Sequence, residues 1–324
     1  MTGCIISYGW PMKSCKLLLL GCGNFGKKRL AASNEVDDIE ITGVYDTKLE
    51  AAEQGAKITN SRVLEHFEDI DSVDYDAVIL STSNDSHLNL CLYFAGKNKY
   101  VLCESPIVKN IEQLEILRNL DHDLLSLINP ATPVRFNPMV LKLEQLLQEN
   151  TVGKVFVVKL SLGCNAQELR SCWKSNHSIA SGGALMEMGP TIINLTQIFG
   201  AIKKFDVHTK TFNPSSGIDD YAHGFFELDN DILVHFEADW NKWSNHESII
   251  VEGERGILKV PLHGKNITLT DKHGDTTQIE PTLTREQLIE ELSAFTNKIH
   301  TQESFLKDIS QQIYYLPTIL RKAS

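Results

Sequence analysis

The chain has little that would suit it to a membrane or to an anionic polymer. Its apolar runs are only strand-length, well short of the roughly 20 residues that a bilayer requires. Its formal net charge of −11, from 31 basic and 42 acidic residues, disfavours nucleic acid and anionic lipid as the main partner. The segment before residue 16 has no sustained apolar core, so we expect no signal peptide, and Met12 is an alternative start to Met1.

Clustered metal ligands and common nucleophile motifs are also missing. The 11 histidines form no HxH or HExxH pattern, and the seven cysteines form no CxxC. There is no Gly-x-Ser-x-Gly elbow and no P-loop. We therefore expect no resident metal, and we expect the odd number of scattered cysteines to be reduced thiols of a cytoplasmic protein.

What is present is a chain of 324 residues, 42% hydrophobic and 23% charged, which suits two globular domains. In its first half, strand-like and helix-like runs alternate, a rhythm typical of an α/β fold. The strand-like runs are 16–20, 39–45, 77–81, 100–103 and 124–128. This half is predicted to form an N-terminal Rossmann domain, a doubly wound parallel sheet, over residues 1–130.

The pattern changes after the breaker-rich segment 129–133. Residues 131–324 are predicted to form a C-terminal α+β domain for substrate binding and oligomerisation, with a large, mostly antiparallel or mixed sheet. Its strand-like runs are 154–162, 204–211, 223–228, 231–239, 248–252 and 256–261, and its helical runs are 138–148, 192–199, 286–299 and 304–320. The helices are too few to cover this sheet, which predicts a homodimer or a homotetramer built as a dimer of dimers.

A glycine-rich turn follows the first strand-like run. Gly21, Gly23 and Gly26 form the pattern Gly-x-Gly-x-x-Gly directly after the apolar run 17–20. The first glycine permits a tight turn, the second lets a pyrophosphate approach bare backbone, and the third lets helix and strand pack closely. A helix over 25–32 would hold the pyrophosphate at its N-terminus. Strand, turn and helix in this order predict a dinucleotide-binding site.

An acidic residue stands where this motif needs one. Asp46 ends the second strand-like run, 20 residues after Gly26. Its carboxylate would accept hydrogen bonds from the adenosine ribose and repel a 2′-phosphate, which favours NAD over NADP. Lys27, Lys28 and Lys48 are near in the sequence and leave NADP open as an alternative.

Further short motifs follow in a fixed order. They are Ser81-Thr82-Ser83-Asn84 with His87, Ala95-Gly96-Lys97, Glu104-Ser105-Pro106, Arg135-Phe136-Asn137-Pro138, Gly153-Lys154-Val155, Trp173-Lys174, Gly182-Gly183, Asp219-Asp220 and Glu252-Gly253-Glu254-Arg255-Gly256. Together with the glycine turn they resemble the Gfo/Idh/MocA oxidoreductases, proteins similar to glucose-fructose oxidoreductase and inositol dehydrogenase. The resemblance implies an active site in the cleft between a nucleotide domain and a sheet domain.

The resemblance also exposes departures at the expected active site. Most members of the family have Glu-Lys-Pro where this chain has Glu104-Ser105-Pro106, and that lysine touches the nicotinamide ribose and the reacting substrate oxygen. The family's histidine corresponds to Thr191, and its flanking aspartates correspond to Glu187 and Asn194. Serine and threonine do not titrate near neutral pH, so proton transfer worth roughly 10²–10⁴-fold is expected to be lost or rerouted.

Three other residues are positioned to carry the proton. Lys174 and His177 lie in a stretch that resembles the family's substrate-contacting segment, and Glu187 keeps a carboxylate on the expected active-site helix. Histidine titrates near neutrality, and a desolvated lysine can be brought there. The alternative is that Lys174 and His177 face solvent and that Glu187 bonds only backbone or Arg135.

The predicted cofactor site combines the glycine motif with the motifs that follow it. His87 is expected to cap or brace the cofactor pocket rather than to react. The predicted cofactor-binding residues are Gly21, Gly23, Asn24, Phe25, Gly26, Asp46, Ser81, Thr82, Asn84, His87, Glu104 and Ser105.

Two functions of different class fit this sequence. One is an NAD(P)-dependent oxidoreductase that acts by hydride transfer on a small carbohydrate-like or carbonyl substrate. Biliverdin reductases, in the wider superfamily, also lack the lysine and still reduce their substrate, so its loss alone does not end catalysis. The other is a catalytically degenerate dinucleotide-binding protein with a structural or sensing role.

The carboxylate of Asp46 makes the cofactor preference testable. The unmutated protein is expected to bind NAD(H) more tightly than NADP(H), and Asp46→Ala is expected to erode that preference, because the ribose loses its acceptor and the 2′-phosphate loses its repulsion. Calorimetric titration of both cofactors measures the ratio. Equal or tighter NADP(H) binding by the unmutated protein would contradict the assignment.

Overall fold

A six-stranded sheet is built from the first 130 residues. The computed structural model describes residues 14–165, 182–213, 217–242, 247–282, 285–307 and 309. The strands of the first sheet are β1 (Cys15–Leu20), β2 (Ile39–Tyr45), β3 (Arg62–Leu64), β4 (Ala77–Leu80), β5 (Tyr100–Cys103) and β6 (Ile128–Pro130). They pair in the order β3-β2-β1-β4-β5-β6, and each pair is parallel. The predicted doubly wound Rossmann sheet is confirmed.

Helices cover both faces of this sheet. They are α1 (Asn24–Ser33), α2 (Leu49–Thr59), α3 (Asn84–Gly96), α4 (Ile111–Arg118) and α5 (His122–Leu125). Leu18 and Leu20 pack in one core cluster with α3 and α4, whereas Leu17 and Leu19 pack in another with α1. A strand buried on both faces reads as a continuous apolar run, which explains the four consecutive leucines.

The predicted strand over 124–128 is wrong. Asp121 instead caps the short helix α5, its carboxylate accepting a hydrogen bond from the Asp123 backbone N–H at 2.8 Å. Because that cap starts a helical turn, the chain becomes extended only at Ile128, where β6 begins.

The second sheet has eight strands. They are β7 (Val155–Gly163), β8 (Ile202–Lys210), β9 (Tyr221–Leu228), β10 (Leu233–Asp239), β11 (Ser248–Gly253), β12 (Gly256–Pro261), β13 (Ile267–Asp271) and β14 (Thr276–Ile279). Their order is β14-β13-β12-β11-β7-β10-β9-β8. The β7–β10 pair is parallel and the other pairs are antiparallel. This confirms the predicted mixed, mostly antiparallel sheet.

The two faces of the second sheet differ in what covers them. The helices α6 (Pro138–Gln148) and α7 (Ala184–Thr196) pack on one face, where Phe226 and Phe236 stack at 4.8 Å between ring centroids. The opposite face exposes polar side chains and one large apolar ring. The exposed residues of this open face include Lys159, His208, His223, Phe225 and His235.

A helix that follows the second sheet in sequence returns to the first sheet. This helix, α8 (Gln287–His300), places Leu288, Leu292 and Phe295 in the core cluster that contains Leu17 and Leu19. The C-terminal part of the chain is thus packed against the dinucleotide-binding fold. The division of the chain after residue 130 stays a prediction.

Two features bear on where the protein resides. Among the described helices, none combines the length and apolar character needed to cross a bilayer. Cys15, Cys22, Cys91 and Cys103 are buried thiols, and burial raises the pKa of Cys15 and of Cys22 to about 12. The expected cytoplasmic location stays a prediction.

Candidate active site

The glycine-rich turn joins β1 to α1 and leaves one open position. Gly21 has a φ of +92°, and a Cβ there would lie 2.5 Å from the Ser81 carbonyl. A Cβ on Gly26 would lie 1.9 Å from the Gly21 carbonyl oxygen, whereas a Cβ on Gly23 would meet no atom within 4 Å. The fold itself therefore requires Gly21 and Gly26, while Gly23 faces space in which a ligand can approach the backbone.

The N-terminus of α1 is suited to an anion. Gly23 is its N-cap residue, no side chain caps it, and its first turn holds no acidic residue. At α7, by contrast, the Asp219 carboxylate accepts hydrogen bonds from the Gly183 and Leu185 N–H groups at 2.9 and 2.8 Å. Burial raises the pKa of Asp219, and these backbone bonds oppose the rise. A pyrophosphate therefore fits the start of α1, whereas the start of α7 is already occupied by a carboxylate.

Asp46 borders the glycine turn. One of its carboxylate oxygens accepts a hydrogen bond from the Cys22 N–H at 2.8 Å, and the other accepts one from the Lys48 N–H at 2.9 Å. These bonds fix the carboxylate beside the turn, and each oxygen keeps a further lone pair for a ribose hydroxyl. The residues present fit the adenosine half of a dinucleotide.

The segment after β4 forms a second wall of the site. The Ser81 hydroxyl is buried and has no hydrogen-bond partner among the described residues. A ligand bound beside Gly21 would supply the hydrogen-bond partner that the Ser81 hydroxyl lacks. Thr82 Oγ1 shares a 2.7 Å hydrogen bond with Ser86 Oγ, and Asn84 begins α3 as a buried residue.

His87 joins the two loops that follow β4 and β5. Its Nδ1 lies 2.8 Å from the Pro106 carbonyl oxygen, and its Nε2 lies 3.1 Å from the Thr82 carbonyl oxygen. Burial lowers the pKa of His87, although both carbonyls oppose the shift. The ring thus lies between two backbone carbonyls of these loops, and the bracing role of His87 in the cofactor pocket stays a prediction.

The segment after β5 begins with Glu104 and Ser105, and both side chains are hydrogen-bonded. Ser105 Oγ donates a hydrogen bond of 2.9 Å to the Ala131 carbonyl, which lies in the connection between the two sheets. Glu104 Oε1 accepts a hydrogen bond of 2.7 Å from Arg29 Nε. The Ser105 side chain therefore ties two backbone segments together, where a lysine would extend away from them.

A charge cluster is buried below this edge of the sheet. Arg29 of α1 is fully buried, and its Nη1 forms an ion pair with Glu291 Oε2 of α8 at 2.6 Å. Glu291 Oε1 accepts a hydrogen bond from the Thr132 N–H. Burial alone would lower the pKa of Arg29, but the carboxylates of Glu104 and Glu291 raise it above its ordinary value, so the guanidinium is charged. Burial raises the pKa of Glu291, and Arg29 opposes that rise.

The residues predicted on α7 lie at the junction of the two sheets. Glu187 and Thr191 are one helical turn apart and are the two residues of α7 that are not fully buried. Asn194, almost one turn further, is buried and donates from Nδ2 to the Pro190 carbonyl at 2.9 Å. Met186, next to Glu187, packs in a core cluster of the first sheet. Glu187 and Thr191 thus form a narrow, partly exposed polar stripe on α7 beside the dinucleotide-binding fold.

The structure brings together some of the predicted site residues and not others. The twelve predicted cofactor residues lie at the carboxyl ends of β1, β2, β4 and β5 or in the helix turns that follow. Of the predicted proton carriers, Glu187 is on α7, and Lys174 and His177 lie outside the described residues.

Sequence reasoning missed Arg29, Glu291 and the capping role of Asp219. The first two share a detectable signal, since each is a charged residue at a buried position of its helix. A charge at such a position needs a buried partner of opposite sign. Asp219 belongs to a recognised motif, but no local pattern shows that it caps a helix more than twenty residues away.

Family models match both halves of the chain. Residues 15–122 match the oxidoreductase family model with an NAD-binding Rossmann fold, and residues 140–259 match the GFO/IDH/MocA C-terminal domain. This chain belongs to the Gfo/Idh/MocA oxidoreductase family, and its first domain is an NAD(P)-binding Rossmann domain.

Several curated relatives are named as dehydrogenases. Glucose-6-phosphate 3-dehydrogenase of Bacillus subtilis is 24% identical over 233 residues, which cover 68% of this chain and 66% of that protein. Inositol 2-dehydrogenase of Rhizobium meliloti is 28% identical over 145 residues, which cover 44% of this chain and 43% of that protein. The chain thus spans less than two thirds of the length of each of these relatives.

Solved structures share the fold over almost the whole chain. A levoglucosan dehydrogenase in complex with NADH and levoglucosan superposes with a TM-score of 0.84 and 17% identity, covering 96% of this chain and 97% of that one. An aldose-aldose oxidoreductase from Caulobacter crescentus, complexed with glycerol, gives a TM-score of 0.82 and 16% identity, covering 96% and 98%.

The open position at Gly23 separates cofactor binding from folding. Gly23→Ala is expected to weaken NAD(H) binding at least tenfold while the cofactor-free protein still folds, because the new methyl group fills the approach to the backbone without touching the protein. Gly96→Ala, which also adds a methyl group in open space, is the control and should leave NAD(H) affinity unchanged. Unchanged NAD(H) affinity in Gly23→Ala would contradict the proposed placement of the pyrophosphate.

Proposed function

We propose that this protein is an NAD-dependent dehydrogenase that transfers a hydride between the nicotinamide and a sugar or polyol, with NADP as the alternative cofactor. The main support is the position of Glu187 and Thr191, the two partly exposed residues of α7, which lie beside the first sheet. In this arrangement residues 1–130 hold the cofactor and residues 131–324 hold the substrate.

The substrate class is supported by what related proteins are named for. Curated relatives include dehydrogenases of glucose 6-phosphate and of inositol, and a structural neighbour was solved with levoglucosan. These are polyhydroxylated molecules, and the carboxylate of Glu187 and the hydroxyl of Thr191 supply the polar contacts that hydroxyl groups need. A non-carbohydrate carbonyl compound is the alternative substrate.

Proton transfer distinguishes this chain from its family. Bound NAD supplies the hydride acceptor and donor. Ser105 donates to the Ala131 carbonyl, and neither Ser105 nor Thr191 titrates near neutral pH, so neither supplies the acid or base. We assign the proton to Glu187, Lys174, His177 or a water held by the substrate, with Glu187 the member of this set on the described helix.

Mutation of these residues tests the assignment. Turnover is measured for three single variants, Lys174→Ala, His177→Ala and Glu187→Gln. At least one of them is expected to lower kcat tenfold or more while NAD(H) affinity stays nearly unchanged. This combination indicates a loss of transition-state stabilisation rather than of cofactor binding. Glu112→Gln on α4, an exposed residue, is the matched control. The assay screens sugars, inositols and keto acids with NAD(H) by absorbance at the nicotinamide band.

Two outcomes would contradict these proposals. Robust turnover unaffected by all three substitutions would refute the proton assignment while leaving the oxidoreductase intact. No turnover with any substrate would instead favour the catalytically degenerate dinucleotide-binding protein, for which the loss of the lysine and histidine is the supporting observation. In that case Ser105→Lys with Thr191→His is the variant to examine for restored polyol oxidation.

We also propose that the open face of the second sheet forms a homodimer or a dimer of dimers. Phe225 is 38% exposed on β9, the strand next to the edge strand β8, and its ring is on the face that α6 and α7 do not cover. Phe225→Glu is expected to give a monomer in light scattering at micromolar concentration, whereas Ile116→Glu, at an exposed apolar residue of α4, should keep the oligomer. A monomeric unmutated protein would overturn this proposal.

A further inference from the structure

The order of strands in the first sheet determines which half of the cofactor lies near which residues. Asp46 follows β2 and the glycine turn follows β1, so the adenosine half and the pyrophosphate belong to that side of the sheet. The nicotinamide half then belongs to the side of β4 and β5. Glu104 is the first residue after β5, which places its carboxylate on the nicotinamide side of the site.

Among the described residues, the ion-pair cluster that contains Glu104 has more acidic than basic groups. The cluster contains one guanidinium, from Arg29, and two carboxylates, from Glu104 and Glu291. When both carboxylates are ionised, the cluster carries one uncompensated negative charge. The nearby imidazole of His87 does not cancel it at neutral pH, since burial lowers the pKa of that ring.

The excess charge is fixed in place and shielded from water. The side chains of Arg29 and Glu291 are 0% and 2% exposed, and that of Glu104 is 16% exposed. Glu291 is held from behind by the Thr132 N–H and by the apolar face of α8, which packs on the first sheet. A charge in such surroundings acts on its neighbours through a lower effective dielectric than a surface charge does.

We propose that Glu104, held in position by Arg29 and Glu291, makes this site select the oxidised cofactor over the reduced one. The nicotinamide ring is a cation in NAD⁺ and neutral in NADH, so a fixed excess of negative charge on that side of the site stabilises the oxidised form alone. Glu291 is a positioning residue, because it acts through Arg29. The inference rests on cofactor binding and is independent of the proposed substrate.

The quantity to measure is the ratio of two dissociation constants, that for NADH divided by that for NAD⁺. Calorimetric titration of the full chain with each cofactor gives this ratio, which is expected to exceed one in the unmutated protein. Glu104→Gln removes the charge with little change of shape and is expected to lower the ratio about tenfold, equivalent to about 1.4 kcal/mol. Glu291→Gln is expected to lower it in the same direction.

A matched control lies next to Glu291 on the same helix. Glu290 is 30% exposed and its Oε1 lies 3.6 Å from Arg285 Nη1, so Glu290→Gln makes the same chemical change away from the cluster. It should leave the ratio unchanged. Partial unfolding of a variant lowers the number of competent sites equally for both cofactors, so the ratio separates a charge effect from a loss of structure.

Two results would overturn the proposal. One is an unmutated protein that binds NADH as tightly as NAD⁺ or more tightly, a result that needs no variant to fold. The other is a folded Glu104→Gln protein whose ratio equals that of the unmutated chain. Either result leaves the proposed dehydrogenase activity standing, whereas failure to bind both cofactors would contradict the family's dinucleotide site itself.

Discussion

The buried guanidinium of Arg29 connects the three parts of the chain from which the cofactor site is built. It reaches Glu104 at the end of β5 and Glu291 on α8 from a position on α1, the helix that begins at the glycine turn. Removing one partner of a buried ion pair leaves an uncompensated charge and costs roughly 3–5 kcal/mol. The relative positions of the pyrophosphate turn, the nicotinamide edge and the C-terminal helix are therefore tightly constrained.

The same contacts extend to the connection between the sheets. Glu291 accepts a hydrogen bond from Thr132, and Ser105 donates one to Ala131, so one residue of this connection is bonded to α8 and its neighbour to the cofactor edge. On the other side, Asp219 fixes the start of α7 through the Gly183 and Leu185 N–H groups. The polar stripe on α7 is thereby placed on a rigid element, which is what a site for hydride transfer requires.

Much of the fold could be predicted because its signals are local. The bounds of β2 (Ile39–Tyr45) and α6 (Pro138–Gln148) agree with the sequence to the residue, and α6 shows why, since Asn137 caps it and Pro138 stands at its first position. Weak local signals were missed. Strand β3 has only three residues, and β14 is polar and lies at the sheet edge.

Errors and omissions at the site have a different cause. The predicted helical run over 192–199 omits the first two turns of α7, which contain Gly189 and Pro190 and begin at Ala184, where a distant carboxylate binds the backbone. Asp46 and the glycine turn were recognisable from spacing alone. The Arg29–Glu291 pair joins opposite ends of the chain, and no periodicity in either helix specifies its partner.

A crystal structure of the protein with NAD⁺ tests the central claim most directly. We expect the pyrophosphate over Gly23, the adenosine ribose on Asp46 and the nicotinamide ring on the side of Glu104. We also expect an open pocket between the ring and Glu187. A pyrophosphate placed elsewhere would contradict the proposed cofactor site, and a ring covered by α7 with no substrate-sized space would contradict the proposed dehydrogenase.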